Sequence, residues 1–149
     1  MKEILKVTGL NVNYGATHAN HDVSHTVKEG EIVSLIGANG AGKTTILHTI
    51  TGLKKAASGS VLFDGAELLT TEPYKIVSMG MAHVPEGRHV FAQMTVTENL
   101  EMGAFSRKDK EGVRQDMERV LERFPRLRER SRQLAGTLSG GEQQMLAVG

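Results

Sequence analysis

Short runs of apolar residues mark the first part of the chain. Apolar and polar positions alternate over residues 3–10 and again over 23–27, which predicts two strands with one buried face each. Residues 32–36 are nearly all apolar, as expected for a strand that is covered on both faces in a parallel sheet. The amino-terminal part of the chain therefore predicts a core built on a sheet.

Turn residues place a hairpin and one more strand after this segment. Residues 61–68 are apolar on both sides of Asp64-Gly65, and an Asp-Gly pair between two apolar runs is a strong hairpin signal. Residues 81–84 predict a short strand that ends at Pro85. The strands are thus all expected within the first 84 residues.

Helical patterns are interspersed among the strands and dominate the last third of the chain. A helix is expected over 43–51, with Gly52 as its stop, and a short helix over 73–79 with proline in its first turn. Over 110–124, apolar residues recur on one stripe, which predicts an amphipathic helix. The stripe consists of Val113, Met117, Val120, Leu121 and Phe124. This order of elements predicts an α/β core followed by a helical subdomain, and not two independent domains.

Composition and charge exclude several classes of protein. The chain has 149 residues, 39% of them apolar, which suits one ordinary domain. It has no cysteine, so disulfides and thiolate metal sites are excluded, and its net charge of +1 gives no indication of nucleic acid binding. No apolar run resembles a signal peptide or approaches the ~20 residues of a membrane span, so we expect a cytoplasmic protein.

Two clusters of ionisable residues have ordinary explanations. His18, His21 and His25 have a spacing that would suit a metal site on a helix, but the strand pattern over 23–27 spreads them apart. The segment 107–132 contains ten Lys or Arg and six Asp or Glu residues. This mixture of signs favours a solvated helix face over a docking site for lipid or nucleic acid.

A glycine-rich loop joins the apolar segment 32–36 to the helix predicted from residue 43. Its residues, spaced G-x-x-x-x-G-K-T, are Gly37, Ala38, Asn39, Gly40, Ala41, Gly42, Lys43 and Thr44. The glycines let the backbone curl so that its N–H groups point at phosphate oxygens, and the helix start adds a positive field. Lys43 supplies a cation to the β- and γ-phosphates, and the Thr44 hydroxyl suits Mg²⁺. This phosphate loop therefore predicts nucleotide binding.

A second glycine motif lies at the start of a helix near the end of the chain. This signature motif consists of Leu138, Ser139, Gly140, Gly141, Glu142 and Gln143. Ser139 is suited to cap the helix, and the two glycines allow close approach of the backbone to an anion. An ordinary capped helix is the plain alternative, but the match to all six residues, together with the phosphate loop, favours contact with a nucleotide.

The two motifs resemble those of ABC transporter ATPase subunits, and the resemblance extends over all 149 residues. Segments 84–88 (VPEGR) and 95–100 (TVTENL) are similar to the subunits of branched-chain amino acid importers. The chain departs from the family at Asn20 and His25, where apolar residues are usual, so we expect weaker local packing there. A GTPase is not favoured, because no Asn-Lys-x-Asp motif is present.

The resemblance implies the fold class and its division. The fold is α/β, a P-loop NTPase (ABC ATPase) core with N-terminal antiparallel strands and a helical subdomain. The residues 1–149 are expected to form a partial nucleotide-binding domain. Residues 1–87 are assigned to the core and its antiparallel strands, and residues 88–149 to the helical subdomain with the signature motif.

The resemblance also implies roles for single residues. Tyr14 matches the aromatic residue that stacks on adenine, and the set that binds ATP and Mg²⁺ extends from Gly37 to Thr45. Glu86 occupies the position at which most members have a glutamine that senses Mg²⁺ and the γ-phosphate, and we hypothesise that it senses the metal. The signature motif contacts the γ-phosphate held by the opposite subunit, which implies a head-to-tail dimer with two ATP molecules.

The catalytic groups of the family are not expected in this chain. The family places them after the signature motif, on an apolar strand ending in Asp-Glu and at a later histidine, whereas this chain stops at Gly149. Residues 61–64 imitate that strand but precede the signature motif and run into a hairpin turn. We therefore expect a chain that is inactive alone, exposes an apolar sheet edge and aggregates.

The implied function is ATP binding in an ABC importer, where hydrolysis by the complete protein drives uptake of branched-chain amino acids. The implied partners are a second ATPase subunit, the transmembrane permease subunits and, indirectly, a solute-binding protein, with no nucleic acid. The implied location is the inner face of the cell membrane. Two alternatives stay open, a non-catalytic nucleotide-binding fragment and an importer subunit for urea or a short amide.

Overall fold

The computed structural model describes residues 1–149, which form two compact units, Met1–Ala82 and His83–Gly149. Each unit has its own cluster of buried apolar side chains. The division after residue 87 that the family resemblance implies stays a prediction. None of the six α-helices combines the length and the apolar character that a membrane crossing requires.

The first unit contains an antiparallel sheet and two helices, so its α/β class is as predicted. Its elements are β1 (Glu3–Tyr14), β2 (Thr17–Lys28), α1 (Lys43–Ile50), β3 (Ser58–Phe63), β4 (Ala66–Glu67) and α2 (Pro73–Ser78). The strand order in the sheet is β2-β1-β3-β4. Strands predicted over 3–10 and 23–27 are confirmed but extend further, because the long β1–β2 hairpin pairs residues up to its tight turn.

The turn between β3 and β4 forms as predicted. Asp64 and Gly65 have φ angles of 47° and 84°, and positive φ at both central residues is the requirement of a two-residue type I′ turn. Phe63 pairs with Ala66 across it, and the Asp64 carboxylate forms an ion pair with Lys2. Asp64 is thus a turn residue.

Two predicted strands do not form, namely 32–36 and 81–84. A strand is stabilised by its hydrogen-bonded neighbours, and neither segment has one among the 149 residues. Ile32 and Ile36 are each 95% exposed. The apolar surface expected to be unprotected is therefore exposed, but on an unpaired segment and not on a sheet edge.

A buried cluster fixes α1 on the sheet. Ile46 and Ile50 of α1 are four residues apart, so they share one face of the helix and both are buried. The cluster consists of Val7, Leu10, Val12, Ile46, Ile50, Val61, Leu68 and Ile76. Each such side chain stabilises the fold by about 1.5–3 kcal/mol. This packing determines where the amino end of α1 lies.

The second unit is helical. Its elements are α3 (Val96–Gly103), α4 (Lys110–Arg123), α5 (Pro125–Glu129), a 3₁₀ turn (Ala135–Thr137) and α6 (Gly140–Val148). Its buried cluster consists of Val96, Leu100, Leu127, Ala135, Leu138 and Leu146. The α3 helix begins with a capping box, in which Thr95 accepts from the Glu98 N–H and the Glu98 carboxylate accepts from the Thr95 N–H.

The amphipathic helix predicted over 110–124 is confirmed as α4. The apolar stripe faces the buried cluster through Met117, Val120 and Leu121, which are all partly buried. Its outer face carries exposed ion pairs such as Arg114–Glu111, and Arg128 pairs with Glu118. Exposed pairs of this kind contribute little to stability, typically below about 1 kcal/mol each.

Stability is expected to fall as the pH is lowered from about 7 to 5, through His25 on β2. Burial lowers the pKa of His25, and its Nδ1 has no hydrogen-bond partner. In the unfolded chain His25 takes up a proton near pH 6.5, whereas in the folded chain its lowered pKa keeps it neutral until a lower pH. Protonation of His25 therefore favours the unfolded chain as the pH falls. Thermal melting of the His25→Leu variant should show a shallower pH dependence than the unchanged chain. His21→Leu, an exposed position on the same strand, is the control, and an unaltered slope in His25→Leu would contradict the prediction.

Candidate functional site

The phosphate loop leads directly into α1. The helix begins at Lys43, and Gly42 precedes it with a φ of 82°. Gly40 has a φ of 85°, so two of the three loop glycines adopt left-handed backbone that other residues rarely accept. The Ala41 N–H donates to the Ala38 carbonyl at 3.1 Å and closes the curl of the loop. The loop thus leads into a helix as its motif requires, whereas the segment before it is not a strand.

The Lys43 side chain folds back onto the loop. Its Nζ donates to the carbonyls of Gly37 and Ala38, each at 2.7 Å. The ammonium group is therefore held within the loop by two backbone oxygens. The acceptors of both bonds are neutral carbonyl oxygens. Phosphate oxygens carry charge and are therefore stronger acceptors for the Lys43 ammonium.

The amino end of α1 has free hydrogen-bonding capacity. Gly42 has no side chain to cap the helix, and the first turn contains no acidic residue. The N–H groups at the start of a helix have no partner within the helix, and the helix dipole makes this end positive. Thr44 is exposed, whereas the Thr45 side chain is buried, so Thr45 has only its backbone N–H to offer a phosphate.

These groups fit a phosphate chain with Mg²⁺. Backbone N–H groups and the Lys43 ammonium are donors only and suit phosphate oxygens, while the Thr44 hydroxyl is a hard oxygen ligand. Mg²⁺ in proteins is usually held by one or two carboxylates, by water and by the phosphates of its substrate. The Thr44 hydroxyl would therefore supply one oxygen ligand of such a site.

Gly42 is packed tightly against β2. A Cβ atom at this position would lie 2.3 Å from Asn20 Nδ2 and 2.6 Å from the Ala19 carbonyl oxygen. Real Cβ atoms do not approach other atoms so closely, and the positive φ of Gly42 adds strain for any other residue. Only glycine therefore allows the loop to lie on the strand.

Tyr14 lies at the end of β1 and is 50% exposed. The Lys54 Nζ lies 3.9 Å from the centre of its ring, a distance at which a cation is attracted to the ring face. One face of the ring is thus covered by an ammonium group. A base that stacks on Tyr14 must use the opposite face or displace Lys54.

Glu86 lies in the second unit, in the loop that precedes α3, and is exposed. The two residues after it have left-handed backbone, with φ of 92° at Gly87 and 67° at Arg88. Left-handed backbone is uncommon for a long side chain such as arginine. The guanidinium of Arg88 lies over the signature motif, since a Cβ atom on Gly140 would be 2.8–2.9 Å from its nitrogen and carbon atoms.

The signature motif forms the start of α6, and the cap predicted at Ser139 is confirmed. Ser139 Oγ accepts from the Glu142 N–H at 3.4 Å, and a Glu142 oxygen accepts from the Ser139 N–H at 2.9 Å. Arg130 pairs with the same carboxylate at 2.8 Å. The hydrogen bonds from Ser139, and secondarily the charges of Arg130 and Arg126, lower the pKa of Glu142.

The side chain of Gln143 is also engaged within the unit. Its Nε2 donates to the Ala135 carbonyl at 3.1 Å and so ties α6 to the 3₁₀ turn before it. Glu142 and Gln143 therefore hold the helix start in place with their side chains. Because the cap uses the Ser139 N–H and uses its hydroxyl only as an acceptor, the groups left to donate to a ligand are the Ser139 O–H and the N–H groups of Gly140 and Gly141.

The sequence-predicted site residues divide between the two units. Tyr14 and the phosphate loop belong to the first, and Glu86 and the signature motif belong to the second. Sequence reasoning missed the contacts of Asn20, Lys54 and Arg88. For Asn20 the signal was a polar residue at a position where the family that the chain resembles usually has an apolar one, and for the other two the sequence contained no signal.

The pattern of the ABC transporter family matches residues 20–149. The chain is 57% identical over 136 residues to the high-affinity branched-chain amino acid transport ATP-binding protein BraG of Pseudomonas aeruginosa, covering 91% of the chain and 58% of BraG. It is 40% identical over 145 residues to the probable branched-chain amino acid transport ATP-binding protein LivF of Archaeoglobus fulgidus, covering 97% of the chain and 61% of that protein. It thus spans about three-fifths of the length of these curated relatives.

The fold has close counterparts among solved structures. The ADP conformation of an ATP-binding cassette of an ABC transporter superposes with a TM-score of 0.82 at 29% identity, covering 99% of this chain and 63% of the cassette. A nucleotide-free cassette superposes with the same TM-score at 30% identity, covering 98% of this chain and 63% of the cassette. Pattern, relatives and fold agree, and the chain belongs to the ABC transporter family.

Proposed function

We propose that this chain binds ATP with Mg²⁺ as part of an ATPase subunit of an ABC importer. The single observation that supports this most is the uncapped amino end of α1 beside the ammonium group of Lys43. A group of backbone N–H donors beside an ammonium favours a polyanion over a neutral ligand. The solved relative in its ADP conformation contains an adenine nucleotide in the same fold.

The roles of the loop residues follow from their chemistry. The N–H groups of Gly40 and of Gly42 to Thr45 bind the β- and γ-phosphate oxygens, and Lys43 exchanges its two carbonyl acceptors for phosphate oxygens. Thr44 ligates Mg²⁺ through its hydroxyl. Tyr14 stacks on the adenine base with the face of its ring that Lys54 does not cover.

The signature motif is proposed to act on a nucleotide bound elsewhere. Ser139, Gly140 and Gly141 contact the γ-phosphate of ATP held by a second ATPase subunit in a head-to-tail dimer. The capping box and the bond from Gln143 to Ala135 hold this helix start rigid. Rigid donors lose little entropy when an anion arrives, which favours binding.

The substrate and the membrane partners are inferred from the relatives. BraG and LivF are named as branched-chain amino acid transport proteins, and we propose the same solutes for the importer to which this chain belongs. Hydrolysis would take place in the complete protein, at the inner face of the membrane, against permease subunits and indirectly a solute-binding protein. The 149 residues alone are proposed to bind ATP without turning it over.

Titration calorimetry of the 149-residue chain with ATP in the presence of Mg²⁺ tests the binding proposal. We expect saturable binding of one ATP per chain, with weaker binding of adenosine, because most contacts are to the phosphates. Release of inorganic phosphate should stay at the level of buffer alone. Absence of saturable binding, or equal affinity for ATP and adenosine, would contradict the proposal.

Glu86 is proposed to sense the metal. Its carboxylate approaches Mg²⁺ directly or through water, but repels the γ-phosphate when the metal is absent. Glu86→Gln should therefore reduce the dependence of ATP affinity on Mg²⁺, mainly by improving the affinity measured with EDTA. Glu72→Gln, an exposed carboxylate of the first unit, is the control. The same Mg²⁺ dependence in Glu86→Gln as in the unchanged chain would remove this role.

A further inference from the structure

A buried asparagine of β2 contacts the last glycine of the phosphate loop. Asn20 is 6% exposed and pairs with Val12 in the hairpin. Its Nδ2 donates to the Gly42 carbonyl at 3.3 Å, while its Oδ1 has no hydrogen-bond partner. Burial of an amide group with one unsatisfied atom is unfavourable for folding. A polar residue at this position therefore needs an explanation beyond the filling of space.

The contact is made at the point where the loop becomes a helix. The Gly42 carbonyl also accepts the first hydrogen bond of α1, from the Ile46 N–H at 3.0 Å. Both acceptor positions of this oxygen are thus occupied, one by the helix and one by Asn20. The orientation of the Gly42 peptide determines where the next N–H groups of the loop point.

We infer that Asn20 is a positioning residue of the phosphate loop. Its amide fixes the Gly42 carbonyl on β2, and so holds the first-turn N–H groups of α1 in the direction from which they meet the phosphates. The functional part of this inference rests on the proposed nucleotide binding. Asn20 itself does not touch the nucleotide, and it acts through Gly42.

If Asn20 served only to stabilise the fold, its replacement would lower stability. The positioning role predicts instead that the loop and phosphate binding are affected and that stability is retained. Leucine has the same branching at Cγ as asparagine but is larger and apolar, so it gains from burial on a strand and has no unsatisfied atom. Asn20→Leu should therefore fold at least as stably as the unchanged chain in the absence of nucleotide. What Asn20→Leu loses is the bond to Gly42, and this loss should appear at the loop and in the affinity for phosphates.

The test compares Asn20→Leu and Asn20→Asp with the unchanged chain. Aspartate retains the shape of asparagine but cannot donate to the Gly42 carbonyl. We expect faster hydrogen exchange at the Ile46 amide, measured by NMR without nucleotide, in both variants. The dissociation constant for ATP should rise about two- to tenfold in Asn20→Leu, the range for loss of one hydrogen bond. Affinity for adenosine should not change.

His25→Leu is the matched control. Like Asn20, His25 is a polar residue of β2 that has a buried side-chain atom without a hydrogen-bond partner, but no bond joins it to the loop. Its Ile46 exchange and its ATP affinity should equal those of the unchanged chain. A folded Asn20→Leu variant with unchanged Ile46 exchange and unchanged ATP affinity would overturn the inference. If the unchanged chain fails to bind ATP, the proposed function fails, and the exchange at Ile46 still decides whether Asn20 positions the loop.

Discussion

Lys43→Ala is expected to weaken ATP binding by about 10- to 100-fold. This range corresponds to the loss of one charge-assisted hydrogen bond, at about 1.5–3 kcal/mol, with tenfold in affinity for every 1.4 kcal/mol. The Lys43 ammonium already lies at the loop, 2.7 Å from two of its carbonyls, so little rearrangement is needed before it meets a phosphate. Titration calorimetry with ATP and Mg²⁺ measures the change.

The control for this substitution is Lys75→Ala. Lys75 is an exposed lysine of α2, so this variant removes the same charge from the same unit without touching the loop. Its ATP affinity should be unaltered. The melting temperature of Lys43→Ala without nucleotide shows whether the loop itself has been disturbed. An ATP affinity of folded Lys43→Ala that equals that of the unchanged chain would refute the assignment of the phosphate loop.

The second large effect concerns the segment 32–36. Ile32 and Ile36 are each 95% exposed, and the backbone of the segment has no strand partner. An exposed segment with apolar side chains and no strand partner is a template for pairing between chains. We expect the 149-residue chain to aggregate, and the double substitution of Ile32→Lys with Ile36→Lys to raise its soluble concentration several-fold. Size-exclusion chromatography with light scattering at increasing concentration measures both.

A control with equal charge separates pairing from general repulsion. Tyr74 and Val77 of α2 are 68% and 57% exposed, but their backbone is hydrogen-bonded within a helix. Tyr74→Lys with Val77→Lys should leave most of the aggregation in place. A chain that is monodisperse and melts cooperatively without any substitution would contradict the expectation. Equal improvement by both pairs would assign the effect to net charge.

Motifs with their own local physics could be predicted from the sequence. The Asp64-Gly65 turn, the helix that starts at Lys43 and the cap at Ser139 depend on residues a few positions apart, and all three form as expected. The amphipathic stripe of α4 also follows from local periodicity. The family resemblance, which rested on the same short motifs, is confirmed by the match over residues 20–149.

Features that depend on distant partners were not predictable. The apolar segments 32–36 and 81–84 have strand-like sequences, yet a strand requires neighbours on the same sheet, and the antiparallel order β2-β1-β3-β4 provides none for them. Local sequence records the preference of a segment but not whether a partner is present. The loss of these two strands is therefore a consequence of topology.

The sequence by itself determined which groups can bind phosphate, because the glycines, Lys43 and Thr44 carry that chemistry wherever the loop lies. The tertiary structure decided how these groups are held. Asn20, expected only to weaken packing, donates to the Gly42 carbonyl from a strand more than twenty residues away in sequence. Lys54 covers one face of Tyr14, and Arg88 lies over Gly140. Such contacts depend on how the chain folds back on itself, because the distance between two side chains is determined by packing and not by their separation in sequence.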